Sequence, residues 1–256
     1  LTMKVITVIN QKGGVGKSTT ALALGHGLQA KKHSVLFIDL DAQGNISYTL
    51  NGNTDGYNTL GILQRPETAP HEIQHTELGD IIPSTPALSG ADGILTATGK
   101  EYKLKEALEF VSKSNNYDYI VIDTPPALGI LTINALTASD FAIIPAQADI
   151  YSLQGISQLN NTIQVVQKYT NPALKVLGIV LTRYNARSTL TKELTDLLEN
   201  TAGQLDTKVF RTRIRENIAV KEAQAVKQNL YIYAPKSNAS KDYTALVEEI
   251  ETDIIF

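Results

Sequence analysis

The chain has 256 residues, contains no cysteine and carries a formal net charge of −3 at pH 7. This length permits one large α/β domain with a buried core. The lack of cysteine excludes a disulfide framework, a thiolate metal site and an iron–sulfur cluster. Neither a secretory signal pattern nor a run of about 18 apolar residues occurs, so we expect a cytosolic protein. Because the net charge is slightly negative, nucleic acid would need a local cationic patch.

The first predicted strand is the apolar run at residues 5–9, and a glycine-rich segment follows it directly. Residues 11–19 read Gln-Lys-Gly-Gly-Val-Gly-Lys-Ser-Thr, and a helical pattern begins near Lys17 and continues to about residue 31. A strand, a loop and a helix in this order are the context that a phosphate-binding loop, or P-loop, requires. Gly13, Gly14 and Gly16 have no Cβ, so backbone N–H groups can approach phosphate oxygens there. The positive end of the helix points at the same place.

The polar residues of this loop fit phosphate chemistry better than a simple tight turn. Lys17 is the predicted cation on the β- and γ-phosphates, and the Ser18 hydroxyl is the predicted Mg²⁺ ligand. Gln11 stands where the general pattern has glycine, so the match is to a variant, and Lys12 adds a second ammonium within reach of phosphate. The predicted nucleotide-binding residues of the loop are Lys12, Gly13, Gly14, Val15, Gly16, Lys17, Ser18 and Thr19.

Short apolar runs alternate with helical patterns along the rest of the chain, which predicts a parallel sheet covered on both faces. The further predicted strands lie at residues 35–38, 81–82, 119–122, 141–144, 176–181 and 208–210. The further predicted helices lie at residues 101–113, 130–139, 152–169, 189–201, 217–226 and 241–251, and the polar stretch 51–79 is predicted to be irregular. We therefore predict an α/β fold: a single P-loop NTPase domain over residues 1–256, with a mostly parallel twisted sheet and helices on both faces.

Aspartates stand at the ends of two predicted strands. Asp39 and Asp41 close the strand at 35–38, and Asp123 closes the strand at 119–122. In open α/β sheets the ligand lies beyond the carboxyl ends of the strands. Beside a P-loop, Asp123 is predicted to lie at Mg²⁺ and Asp41 to orient the attacking water, although each could instead cap a helix or stabilise a turn. The predicted metal site is Ser18, Asp41 and Asp123, and Asp41 and Asp123 are predicted catalytic residues.

Together these motifs resemble the ParA/Soj family of partition ATPases, in the deviant-Walker-A branch of P-loop proteins. The resemblance rests on residues 12–19, 39–45 and 123–126, and continues through residues 82–88, 181–187 and 222–223. It implies ATP and Mg²⁺ as cofactors and a nucleotide-sandwich homodimer. Lys12 would be a third catalytic residue, which crosses to the partner's phosphates much as an arginine finger does. Gly13 would lie where the two loops press together. Asp41 would be the switch I residue that positions water, and Asp123 the switch II residue near Mg²⁺.

The same resemblance implies adenine and DNA contacts. Adenine contacts are expected near Thr182, Arg183, Ile214, Arg215 and Asn217. Family members usually carry Ile-Pro-Arg-Asn-Val-Arg-Leu-Ser-Glu-Ala after the last strand, whereas residues 214–223 here read Ile-Arg-Glu-Asn-Ile-Ala-Val-Lys-Glu-Ala, with Ala219 in place of a DNA-contacting arginine. Residues 208–221 still hold five cations against one acid, which could contact DNA phosphates without reading bases, or could form a solvated charged face. The predicted DNA-binding residues are Arg187, Lys208, Arg211, Arg213 and Lys221.

We therefore expect an ATP-switched ATPase that binds nonspecific DNA as a closed dimer and positions cargo, such as a plasmid or chromosome origin, on the nucleoid. A centromere-binding, ParB-like partner would stimulate its slow hydrolysis. One alternative is a MinD-like ATPase at a membrane surface, but that form ends in a basic amphipathic helix, whereas residues 247–256 are acidic, so we expect no membrane binding. Another is a metabolic enzyme that uses ATP to activate a small carboxylate or amine, although we find no catalytic set outside the phosphate site.

Overall fold

One sheet organises the molecule, and its strands follow the apolar runs of the sequence. The computed structural model describes residues 3–186, 189–204 and 206–255. Its strands are β1 (Lys4–Val8), β2 (Val35–Asp39), β3 (Gln74–Thr76), β4 (Gly79–Ile82), β5 (Tyr119–Asp123), β6 (Phe141–Ala146), β7 (Lys175–Tyr184) and β8 (Val209–Arg215). They lie in the order β3-β4-β2-β5-β1-β6-β7-β8, and every neighbouring pair is parallel except β3 with β4. The predicted mostly parallel α/β sheet is confirmed.

Helices cover both faces of this sheet, as predicted. They are α1 (Lys17–Ala30), α2 (Asn45–Thr49), α3 (Thr59–Gln64), α4 (Ala91–Ile94), α5 (Lys103–Ser114), α6 (Ile130–Ala138), α7 (Ile150–Tyr169), α8 (Thr189–Gln204), α9 (Ile218–Ala225), α10 (Leu230–Tyr233) and α11 (Asn238–Ile255). Side chains alternate across a strand, so Val35 and Phe37 join the core beneath α1, α9 and α11, whereas Leu36 and Ile38 join the core beneath α3, α5 and α6. A third cluster packs α7 and α8 against β6 and β7.

The placement of α1 depends on a close approach to β2. Gly25 lies in the middle of α1, and a Cβ at this position would collide with the fully buried ring of Phe37. Glycine inside a helix costs roughly 1 kcal/mol relative to alanine, so its presence here indicates a packing requirement. The contact holds α1 against the sheet, and it therefore sets where the first turn of α1 stands relative to the strand ends.

Several segments differ from the prediction, and two of these differences concern the strands at the edges of the sheet. The stretch 51–79, predicted to be irregular, contains α3, a 3-10 helix at Pro66–His71 and the edge strand β3. The sequence Gln-His-Thr of β3 has no apolar alternation, because this strand pairs with only one neighbour and remains partly exposed. The last strand is also longer than predicted: β8 continues to Arg215, with Phe210 and Ile214 buried and cations between them. Within the described ranges, the helices are too short or too polar to cross a membrane.

Candidate nucleotide site

The predicted P-loop lies between β1 and the first turn of α1. Gly14 and Gly16 adopt left-handed backbone conformations, with φ of 75° and 91°. Residues with a Cβ rarely adopt such angles, so these glycines are required by the path of the loop. Gly16 is the N-cap of α1, and no side chain caps this end of the helix. The first N–H groups of α1 are therefore available to an anion, and the helix dipole favours one there.

This loop lines a cleft of about 590 Å³, and a smaller pocket of about 150 Å³ adjoins it. Asp41, Lys221 and Gln224 face the loop across the cleft. The smaller pocket brings together all five residues predicted near adenine, which are Thr182, Arg183, Ile214, Arg215 and Asn217. The side chain of Asn217 also accepts a hydrogen bond from the Ala219 N–H and so caps α9. The two cavities thus adjoin as the phosphate site and the nucleoside site predicted from the sequence would require.

Lys17 is the cation at the floor of the cleft. It is buried, and its ammonium donates a hydrogen bond to the Lys12 carbonyl oxygen at 3.1 Å. Burial lowers the pKa of Lys17, and the nearby carboxylates of Asp123 and Asp41 partly oppose this effect. A buried ammonium between a phosphate-sized space and two acids is well placed to bind phosphate oxygens. The position predicted for Lys17 at the phosphate loop is consistent with this geometry.

Asp39 and Asp123 lie side by side at the ends of β2 and β5, where they are paired in register. Asp39 is fully buried, and it accepts hydrogen bonds from the Ser47 N–H at 2.9 Å and the Ser47 hydroxyl at 2.7 Å. Burial raises the pKa of Asp39 to about 6, although these hydrogen bonds act against the shift. Because its oxygens are occupied, Asp39 fastens α2 to the sheet, a role that its position in the sequence did not reveal.

Asp123 differs, since neither of its buried carboxylate oxygens has a hydrogen-bond partner among the described residues. Burial, then the charge of Asp39, raises its pKa well above the usual value, while the Ser18 hydroxyl and Lys17 act in the opposite direction. Burying a carboxylate without partners costs free energy unless a cation, or water bound to a cation, compensates the charge. Oxygen ligands from a carboxylate and a hydroxyl are those that Mg²⁺ prefers. Ser18 and Asp123 therefore fit a magnesium site.

Asp41 stands on the wall of the cleft that faces the loop. It is mostly buried, its Oδ1 accepts a hydrogen bond from the Gln43 N–H at 3.0 Å, and its backbone oxygen accepts one from the Ser84 hydroxyl. These contacts fix the turn between β2 and α2 while leaving carboxylate surface in the cleft. The arrangement brings Asp41 to the same cavity as Lys17 and Ser18, as expected for a residue that orients water near phosphate.

Lys12 takes a position that the sequence did not predict. Its ammonium lies 2.5 Å from Oδ2 of Asp149, the N-cap residue of α7, and 5.8 Å from the centre of the Tyr151 ring. Asp149 also accepts a hydrogen bond from the Ser152 N–H at 2.9 Å. The sequence signal for Asp149 is an acid directly before a helical pattern, and we missed it because we placed the start of α7 two residues later.

The predicted DNA-binding cations occupy different environments. Lys208 pairs with Asp253 at 2.8 Å, and Arg213 pairs with Glu199 at 3.2 Å. Arg211 and Lys221 have no carboxylate within 4 Å among the residues that the structure describes, and Lys221 lines the nucleotide cleft. Arg187 lies outside the described residues. The cationic segment is therefore partly neutralised by acids on α8 and α11, whereas Arg211 and Lys221 are exposed cations without an acid partner in the described chain.

The fold, the left-handed glycine loop and the acids across the cleft define a P-loop nucleotide-binding protein. The family model described as an AAA domain matches residues 3–176. The chain is 40% identical over 252 residues to the sporulation initiation inhibitor protein Soj of Bacillus subtilis, with 96% of this chain and 98% of Soj covered. It is 37% identical to the chromosome partitioning protein ParA of Caulobacter vibrioides, with 97% and 94% covered. The chain belongs to the ParA/Soj family of partition ATPases.

Solved structures share this fold. Cobyrinic acid a,c-diamide synthase from Mycobacterium smegmatis, with bound ATP analogue and magnesium, superposes with a TM-score of 0.81 at 31% identity, covering 96% of this chain and 93% of that one. A plasmid partition protein from Borrelia burgdorferi bound to AMPPNP superposes with a TM-score of 0.80 at 27% identity, covering 99% of both chains. The similarity therefore extends over nearly the whole chain in each comparison.

Proposed function

We propose that this protein is an ATPase that closes into a dimer with ATP and Mg²⁺, binds DNA without sequence preference in that state, and positions a cargo such as a plasmid or chromosome origin. We assign the whole of residues 1–256 to a single ATPase domain of this type. The observation that carries the proposal is that Lys17 and Asp41 line one cleft beside the P-loop, where the buried carboxylate of Asp123 also acts on Lys17. The names of the Soj and ParA relatives and the nucleotide-bound structural neighbours support it.

The chemistry of the site follows from its own residues. The Lys17 ammonium and the N–H groups at the start of α1 would hold the phosphates, with Ser18 and Asp123 on the side of the metal. When bound, Mg²⁺ would neutralise charge that develops on the transferred phosphoryl group. The Asp41 carboxylate would orient the attacking water, because it is held rigidly at the opposite wall by the Gln43 N–H.

Dimer closure is supported by the surface around the loop. Gly13 is exposed, and a Cβ at this position would meet no atom within 4 Å, so a second molecule can approach the loop closely. Ile150 and Tyr151 are exposed by 61% and 70% beside Lys12, which provides apolar area for a partner subunit. In the proposed dimer, Lys12 leaves Asp149 and reaches the partner's phosphates, where its positive charge stabilises the negative charge of the transition state.

We assign DNA binding to Arg211, which lies outside the cleft, and to Lys208 and Arg213, whose ion pairs with Asp253 and Glu199 must break first. Arg187 is added on the family resemblance alone. Phosphate contacts of this kind carry no base information and are sensitive to salt. A centromere-binding, ParB-like protein would accelerate hydrolysis and release the DNA. We therefore expect the protein to lie in the cytoplasm, associated with the nucleoid, and not to bind membranes.

Fluorescence anisotropy on two unrelated duplexes, with ATP, ADP or no nucleotide, tests the proposal. Binding that requires ATP and is equal on both duplexes is the expected result. Equal binding without nucleotide would contradict the coupling between dimer and DNA. If no DNA bound under any condition, the MinD-like and metabolic alternatives would be tested by measuring ATP hydrolysis with anionic lipid vesicles and with small carboxylate substrates.

A further inference from the structure

Helix α9 brings a lysine to the nucleotide cleft at a place where the family pattern has none. When residues 214–223 are set beside the usual Ile-Pro-Arg-Asn-Val-Arg-Leu-Ser-Glu-Ala, Lys221 stands at the position of the serine. We propose that Lys221 is a nucleotide-binding residue whose ammonium contacts the phosphate nearest the ribose, the α-phosphate, in nucleoside mono-, di- and triphosphates. The inference rests on the proposed function, since it concerns the same cleft.

The location of Lys221 between the two cavities indicates which phosphate it reaches. Lys221 lines both the cleft of the P-loop and the adjoining pocket, together with Gly16, Thr19, Arg183 and Gln224. Lys17 lines the cleft but not the pocket, at the part assigned to the β- and γ-phosphates. Thr182 and Asn217 line the pocket but not the cleft, at the part assigned to the nucleoside. The group of a nucleotide that joins these two parts is the α-phosphate.

The packing of α9 holds Lys221 in this position. Ala219 and Ala223 are buried one turn apart, so α9 lies close against the core that also contains α1. Gln224 donates a hydrogen bond from its Nε2 to the Thr19 hydroxyl at 3.0 Å, which ties α9 to the first turn of α1. Residues three positions apart lie on the same side of a helix, so Lys221 stands beside Gln224 over the end of the loop.

Lys221 is also available for an anion. In the described part of the chain its ammonium makes no hydrogen bond and has no carboxylate within 4 Å, unlike the side chains of Lys208 and Arg213. Lys227, beyond the end of α9, differs as well, because its ammonium donates to Asn51 at 2.8 Å and lies 4.1 Å from the centre of the Tyr48 ring. A free ammonium facing a phosphate site gains a charge-assisted hydrogen bond when the anion binds.

The test compares the affinity of ATP, ADP, AMP and adenosine for the wild type, Lys221→Gln and Lys221→Arg, without DNA. Lys221→Gln should weaken all three nucleotides by about tenfold and leave adenosine unchanged, because a hydrogen bond to a charged phosphate is lost. Lys221→Arg should retain most of the affinity. Lys105→Gln on α5, on the opposite face of the sheet, removes the same charge and should change nothing.

Several outcomes overturn the inference. Wild-type affinity of Lys221→Gln for all three nucleotides would do so, as would a loss with ATP and ADP but not AMP, which would place the contact at the β-phosphate. A loss of DNA binding at saturating ATP, with unchanged nucleotide affinity, would instead support the DNA-binding role predicted for Lys221 from the sequence. Unfolding curves without nucleotide check that the variants fold. If the wild type itself failed to bind ATP, the proposed function would fail, whereas a normal wild type with a normal variant rejects the inference alone.

Discussion

The ammonium of Lys12 lies 2.5 Å from Oδ2 of Asp149, a residue 137 positions away in the chain. Burial acts to raise the pKa of Asp149, but hydrogen bonds from Lys12 and the Ser152 N–H outweigh it and hold this pKa below its usual value. Both side chains are partly exposed, so the pair stabilises the protein by at most about 1 kcal/mol. Lys12 is therefore held loosely, and a nucleotide phosphate of a second subunit can compete for it.

Asp149→Asn should retain the helix cap, because asparagine caps as well as aspartate, while removing the charge that holds Lys12. If Lys12 must leave Asp149 for the dimer to close, the dimer should form about three- to fivefold more tightly with ATP. Analytical ultracentrifugation measures this, with Asp55→Asn in an exposed loop as the control for charge. Unchanged dimer affinity would show that the ion pair between Lys12 and Asp149 does not oppose dimer closure.

Lys17→Ala and Gly13→Val should block the cycle at different steps. Lys17→Ala removes the buried cation of the phosphate site and should abolish ATP binding. Gly13→Val should still bind ATP, because a Cβ at this position meets no atom of its own subunit, but it should prevent dimer closure. Nucleotide binding combined with size-exclusion chromatography distinguishes the two variants. A Gly13→Val protein that dimerised normally would rule out the apposed-loop geometry.

Asp41→Ala should separate ATP binding from hydrolysis. The variant loses the carboxylate that orients water, whereas Lys17 and the loop N–H groups still hold the phosphates, so dimerisation and DNA binding should persist. Turnover should fall by about a hundredfold or more. A phosphate-release assay measures the rate, and Gln43→Ala, which leaves the carboxylate in the cleft, provides the control. If Asp41→Ala hydrolysed ATP at the wild-type rate, Asp41 would not be the residue that orients water.

Asp123→Asn should make the nucleotide-free protein more stable at high pH while weakening its binding of ATP with Mg²⁺. Because the pKa of Asp123 is raised in the folded state, the folded wild type retains a proton that the unfolded chain has lost, and its stability falls as pH rises through that pKa. The asparagine variant has no charge to bury. We expect a gain of about 1–2 kcal/mol at pH 8, or a melting temperature higher by about 2–8 °C, and a smaller gain at pH 5. Equal differences at both pH values would contradict the buried charge.

Arg211→Ala should weaken DNA binding more than Arg213→Ala, because the Arg213 guanidinium must first leave Glu199. Loss of one phosphate contact should reduce the slope of log affinity against log salt by about 1 and should do so on every duplex. Anisotropy titrations at several salt concentrations with ATP measure both quantities. Arg187→Ala is expected to behave as Arg211→Ala does. A loss on one duplex only would indicate base readout instead.

The conformation of the glycine-rich loop and the inner strands of the sheet were predictable from the sequence. Gly14 and Gly16 stand in the spacing of a P-loop, and backbone angles at such positions depend on the residue itself. The apolar runs gave the inner strands, since both faces of a parallel sheet are buried and the signal is strong. The edge strand β3 was missed because its polar residues bury little surface and carry no such signal.

Only the tertiary structure decided which side chains meet. Asp39 and Asp123 end neighbouring strands in the same way, yet Ser47 occupies the oxygens of Asp39 while those of Asp123 have no partner among the described residues. Lys221 belongs to a run of cations in the sequence, but it lines the nucleotide cleft, because the hydrogen bond from Gln224 to Thr19 holds α9 beside the first turn of α1. Sequence patterns determine backbone conformation over a few residues, whereas the free energy of a charge depends on groups that the fold brings within a few ångströms of it.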